Sequence, residues 1–153
     1  MFDCAIQLVV DPVYCNDWPH VTIGLDQQVF FEGKLDKQYV LSIDKTFSTV
    51  DHSLWIELKY KTARNTTSSK DQAVIIKSLS FENIESDRFV WHANYSPQYP
   101  EPWASEQKAQ GIILEPVIQN TRYLGWNGVW KLDFQLPIFT WIHRLENLGW
   151  LYV

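Results

Sequence analysis

Cysteine is nearly missing from this sequence. Cys4 and Cys15 are the only two, they do not stand in CxxC spacing, and no histidine cluster accompanies them, so a zinc site has no ligand set. The pair reads either as a disulfide across the first turn or as two buried thiols, which behave as small core hydrophobes. Glycine is scarce too, six in 153 residues, with no Gly-rich run ahead of a helix, which excludes a phosphate-cradling loop. The longest apolar runs are four or five residues, against about 20 for a bilayer span, so no membrane partner is expected. Cationic excess is also lacking: 13 Lys and Arg face 18 Asp and Glu, a net charge of −5, and nucleic acid is not expected as a partner. The opening Met-Phe-Asp-Cys-Ala-Ile-Gln has no basic start, apolar core or cleavage site, so no signal peptide is expected and the chain is expected to start at Met1. Without repeats, low-complexity tracts or a linker, residues 1–153 are expected to form a single domain around one core.

What is abundant is aromatic. Eight Trp, seven Tyr and eight Phe make 15% of the chain, a composition suited to pleated sheets and to flat recognition surfaces. Period-2 alternation runs through the first ninety residues. Ile6, Leu8 and Val10 share a face; Val21, Ile23 and Leu25 lead into a turn at Asp26-Gln27-Gln28, and Val29–Leu35 returns as the second arm of a hairpin. Tyr39–Asp44 and Leu54–Tyr60 are further strands, the latter with Glu57, Lys59 and Lys61 facing water, as in an antiparallel sheet with one wet side. Trp55 falls on the face opposite Leu54 and Ile56, which leaves it for a second layer, a loop or a neighbour. Residues 62–70 are polar and aperiodic, an exposed loop that contains the sequon Asn65-Thr66-Thr67. From Ala73 to Ile84 the apolar phase switches at Lys77-Ser78, predicting a β-bulge or bend, and Phe89–Tyr95 reads as another strand.

The texture changes from Ser96 to Asn127, where Pro97, Pro100, Pro102 and Pro116 mix with aromatic residues and forbid long ladders. Loops are expected there, with at most a short strand at Gly111–Leu114. Val129–Leu136 alternates again, with Trp130, Leu132, Phe134 and Leu136 facing the core. Beyond Pro137, Ile138, Trp141, Ile142 and Leu145 form a helical stripe. One C-terminal helix is predicted over about residues 138–147, punctuated by Gly149 and with His143 on its solvent side. The pattern as a whole predicts an all-β fold, a jelly-roll-like antiparallel β-sandwich with one short C-terminal helix.

Catalytic candidates exist only by abundance. Asp44, Asp51 and Asp71 fall at strand ends or loops, where carboxylates cap turns. His20, His52, His92 and His143 are scattered, without HxH, HExxH or a carboxylate at a ligand's spacing. The protein is therefore read as no enzyme. The remaining lead is the set Tyr95, Tyr99, Trp103, Tyr123 and Trp126, placed in surface loops among Pro, Asn and Glu. Exposed rings beside amides suit a glycan, which stacks and hydrogen-bonds at once, and a protein partner uses the same residue types. The bland alternative is that these rings cover sheet edges.

Residues 4–84 resemble the calcium-dependent xylan-binding type of carbohydrate-binding module. The stretches that carry the likeness are Pro19-His-Val-Thr-Ile-Gly-Leu-Asp26-Gln-Gln-Val-Phe-Phe-Glu-Gly33, His52-Ser-Leu-Trp-Ile-Glu-Leu58 and Asp71-Gln-Ala-Val-Ile-Ile-Lys-Ser-Leu-Ser-Phe81. The resemblance implies a sandwich and a calcium site, for which only Asp71 holds a matching position; residues 62–70 contain no carboxylate to complete the acidic cluster. Tyr123–Trp141 and the closing Leu148-Gly-Trp-Leu-Tyr-Val153 look like uncharacterised small proteins of tailed phages, particularly cyanophages. That implies a virion component, a decoration, neck or tail protein assembled in the host cytoplasm. Its expected partners are other virion proteins, itself as a homo-oligomer, or a cell-surface polysaccharide. A free-standing glycan-binding module is the alternative, and a small hydrolase the weaker one.

Overall fold

The computed structural model describes residues 1–146. Two antiparallel sheets face each other across one core. The first carries β1 (Phe2–Val13), β4 (Tyr39–Phe47), β6 (Ala73–Phe81), β7 (Ile84–Glu85) and β9 (Tyr123–Leu124), in the order β4-β1-β6-β7 with β9 also on β6. The second, in the order β3-β2-β5-β10-β8, carries β2 (His20–Leu25), β3 (Gln28–Lys34), β5 (Asp51–Lys59), β8 (Asn94–Pro97) and β10 (Gly128–Gln135). This is the expected all-β antiparallel sandwich. Three short helices join it: α1 (Asp87–His92), α2 (Trp103–Ala109) and α3 (Ile138–Leu145). No helix among the described residues is long and apolar enough to cross a membrane.

Alternation in the sequence becomes the two inner faces. Ile6, Leu8 and Val10 of β1, Val21, Ile23 and Leu25 of β2, and Leu54, Ile56 and Leu58 of β5 are all buried, as the period of two requires. Trp130, Leu132, Phe134 and Leu136 lie on the core side, as their alternation predicts. The phase switch near Lys77 is a β-bulge: Val9 pairs with Ser78 and Val10 with Ile76, so Lys77 is the extra residue. On the outer face of the second sheet, Trp55 lies across Gly24 and donates its indole N–H to the Asp26 carbonyl at 2.9 Å. A Cβ at position 24 would stand 2.4 Å from that ring, so glycine there makes room for the tryptophan.

Helices account for the departures. Phe89–Tyr95 is not one strand: α1 fills Asp87–His92, and only Asn94–Pro97 pairs, as β8. Ser86 caps α1 through its side-chain oxygen, accepting the Arg88 N–H, and the helix buries Phe89 and Val90. Gly111–Leu114 forms no strand, and α2 occupies the Pro-rich segment instead. Its first turn is anchored where Glu101 accepts the Ser105 hydroxyl at 2.6 Å and amide at 3.3 Å. The C-terminal helix spans Ile138–Leu145 with Ile138, Trp141 and Ile142 buried; Asn147 and Gly149 lie outside the described residues. His143 is half-buried rather than turned to solvent.

Cys4 and Cys15 are free, buried thiols. They stand near the two ends of β1, and the nine steps of strand from Cys4 to Val13, at about 3.3 Å each, separate them far beyond disulfide reach. Burial, then the charges of Glu82 and Asp44, push the Cys4 thiol up to about 12, so it stays protonated and inert. Trp130 has no exposed surface. Trp130→Ala is expected to destabilise the fold by about 3–5 kcal/mol, read by urea unfolding; a variant as stable as the parent would contradict the inner-face assignment.

Candidate binding site

The loops that follow β1, β3, β5 and β8 gather at one end of the sandwich, and five side chains organise it. Alternation along β5 puts Lys61 on the wet side, but the chain turns first. Tyr60 takes φ 63°, a left-handed conformation that reverses the direction of the next residue. Lys61 is consequently buried, its side chain 9% exposed. Its ammonium donates to Asp71 Oδ1 and to the Gly125 carbonyl, both at 2.5 Å, and lies 5.9 Å from the centre of the Trp126 ring. Asn127 clamps the Lys61 backbone from both sides, accepting its N–H and donating to its C=O, each at 2.9 Å.

Asp71 is the counter-ion. Besides Lys61 it accepts the Thr66 hydroxyl at 2.8 Å and the Tyr123 hydroxyl at 2.6 Å. Burial alone would raise its pKa, but the Lys61, Tyr123 and Thr66 bonds outweigh that and hold it below the ordinary 3.8. Burial and then the Asp71 bond push the Tyr123 hydroxyl above the usual tyrosine range. The expected calcium ligand is thus taken up by an ammonium and two hydroxyls. Among the described residues no group of three or more His, Cys, Asp or Glu could hold a metal ion. The sequon asparagine is occupied as well: Asn65 is buried, and its amide donates to the Cys15 carbonyl at 3.0 Å.

Of the five aromatic residues singled out by sequence, three come together. Trp103 and Trp126 lie face toward face, centroids 4.8 Å apart and tilted by 34°, and Tyr99 meets Trp126 edge-on at 5.2 Å. Tyr95 is not a surface residue. It is 1% exposed, and its hydroxyl bonds both the carbonyl and the amide of Trp126, the latter at 2.8 Å, so it pins the loop from inside. Tyr123 stays at the surface with its hydroxyl committed to Asp71. Beside the ring cluster, α2 and residues 111–116 enclose an open groove of about 600 Å³, lined by Tyr99, Ala104, Ile112, Leu114 and Pro116 with Lys108 at its rim. Lys61 and Asn127 escaped sequence reasoning; their only signal is a lysine after a strand whose alternation stops.

The nearest approach to catalytic geometry is at the other end. His52 Nδ1 lies 2.7 Å from Asp26 Oδ2, and its Nε2 lies 3.3 Å from Thr49 Oγ1. That order of groups mimics a relay, but Nε2 also faces the Thr49 carbonyl at 2.9 Å. The Asp26 carboxylate and the Thr49 carbonyl both only accept, so each calls for a ring N–H and the two compete for the proton of a neutral imidazole. No family model, curated protein or solved structure matches this chain.

The lowered Asp71 pKa sets a pH dependence. A carboxylate whose pKa is depressed by folding contributes stability above its unfolded pKa and loses it as pH falls through the folded value. The parent's stability is therefore expected to fall below about pH 4. Asp71→Asn leaves the Lys61 ammonium without its counter-ion and is expected to lose roughly 1–3 kcal/mol near neutral pH, with a flatter acid limb. Urea unfolding across that range checks both, and equal neutral stabilities would refute the pairing.

Proposed function

We propose that this protein is a non-enzymatic structural or attachment protein of a virion, a decoration, neck or tail component that holds a protein neighbour through the α2 excursion. The observation that carries the choice of a protein over a glycan is the disposition of the rings. Trp103 and Trp126 spend their faces on each other, whereas a sugar needs an open ring face. The open surface beside the groove is aliphatic: Ile113 is 82% exposed, and Ile112 and Val117 stand out with it. An exposed apolar patch with a polar rim suits a protein contact. The non-enzymatic reading is supported by His52, whose two ring nitrogens both face acceptors of the protein itself. The virion assignment draws on the likeness of residues 123–153 to small phage proteins.

Tryptophan fluorescence is expected to stay flat in titrations against bacterial and plant polysaccharides, with or without calcium. Cross-linking from position 113 in assembled particles is expected to capture one protein neighbour at fixed stoichiometry. Saturable quenching that disappears in Trp103→Ala would overturn this reading in favour of a glycan-binding module.

A further inference from the structure

Tyr60 turns Lys61 into its hub but gains little itself from the conformation it holds. Its φ of 63° strains any bulky side chain, and glycine would adopt it without that penalty. Among the other described non-glycine residues with positive φ, Asn16, Asp26, Asn83 and Asn120 are types that enter this region readily, and Glu82 sits in the tight turn between β6 and β7. Yet the Tyr60 ring is 72% exposed and is steadied only along one edge, against His20 at 4.8 Å. The Asn127 clamp on Lys61 holds the adjoining backbone in place. A large ring kept rigid, projecting and strained is an anchor in search of a pocket.

The charge around it is lopsided. Residues 59–70 contain four cations and no carboxylate; Lys61 is held by Asp71 and Lys59 lies 3.4 Å from Glu57, which leaves Arg64 and Lys70 to charge the tip. The far end has the opposite sign. Beside β5's first residue opens a cleft of about 530 Å³, with Asp26, Asp51 and Asp133 among its walls and Phe134 and Trp141 on its floor. Tyr60 follows the last residue of β5 and Asp51 is the first, so nine residues at about 3.4 Å each keep a chain's own tip out of its own cleft.

We propose that copies of this chain assemble head to tail, the Tyr60 tip of one copy seating in the acidic cleft of the next. The ring enters the cleft, the carboxylates take its hydroxyl, and the neighbouring Arg64 and Lys70 meet the acidic rim. The fold already contains the same match once, where the Tyr123 hydroxyl donates to Asp71 at 2.6 Å beside an ammonium. A contact between two different surfaces repeats from copy to copy and builds a ring or a filament. The inference deepens the structural-protein reading by naming a partner, but it uses neither Ile113 nor Trp103, so the two fail separately.

Sedimentation velocity on the full chain, over rising concentration and at low and high salt, tests it. The parent is expected to form oligomers that dissociate as salt rises. Tyr60→Gly, which suits the backbone there, and the charge-reversed pair Asp51→Lys and Asp133→Lys are each expected to weaken self-association by at least about tenfold with parental near-UV circular dichroism. Mixed together, the tip variant and the cleft variant each retain one competent face, so a one-to-one dimer and nothing larger is expected. A parent that stays monomeric, oligomers that survive Tyr60→Gly, or a mixture that forms no dimer would overturn the proposal.

Discussion

One buried positive charge governs the loop end of this protein. An ammonium withdrawn from water must be repaid by hydrogen bonds and a counter-ion, and Lys61 finds both by drawing together pieces of chain far apart in sequence: Asp71 from the polar loop and the Gly125 carbonyl from the α2 excursion. Asn127 and the Tyr95 hydroxyl fix the same excursion through its backbone. The ring cluster and groove are therefore held by polar bonds at their base, while their open side stays apolar. Binding elements that are ordered before the partner arrives lose less entropy on association.

The left-handed turn at Tyr60 links this hub to the rest of the molecule. It ends the β5 ladder, drives Lys61 inward, and throws the Tyr60 ring outward in the same step. A single backbone conformation thus produces both the buried charge and the projecting aromatic. Arg64 and Lys70 lie in the loop beyond that tip, and Asp26, Asp51 and Asp133 line the cleft at the far end of the same strand. His52 lies buried there, between the Asp26 carboxylate and the Thr49 carbonyl.

Where burial alone decides conformation, the sequence was readable. The alternation of β1, β2, β5 and β10 maps onto the core residue by residue, and even the bulge at Lys77 followed from a slip of phase. Reading failed where a local polar bond overrode the period. The Ser86 cap starts α1 inside a stretch that alternates like a strand, and the Tyr60 turn inverts Lys61. Tyr99, Trp103 and Trp126 converge, while Tyr95 is a buried pin because its hydroxyl has the Trp126 backbone to bond. Pairings such as Lys61 with Asn127, 66 residues apart, leave no trace in a local pattern.

Hydrogen–deuterium exchange, comparing the parent with Lys61→Met, tests most directly whether the buried ammonium organises the loop end. The amides of Gln98, Ile118 and Trp126, bonded within and beneath the excursion, are expected to exchange markedly faster in the variant while those of β1, β2 and β5 keep their protection. Unchanged protection in the excursion, or an equal loss throughout both sheets, would contradict the account.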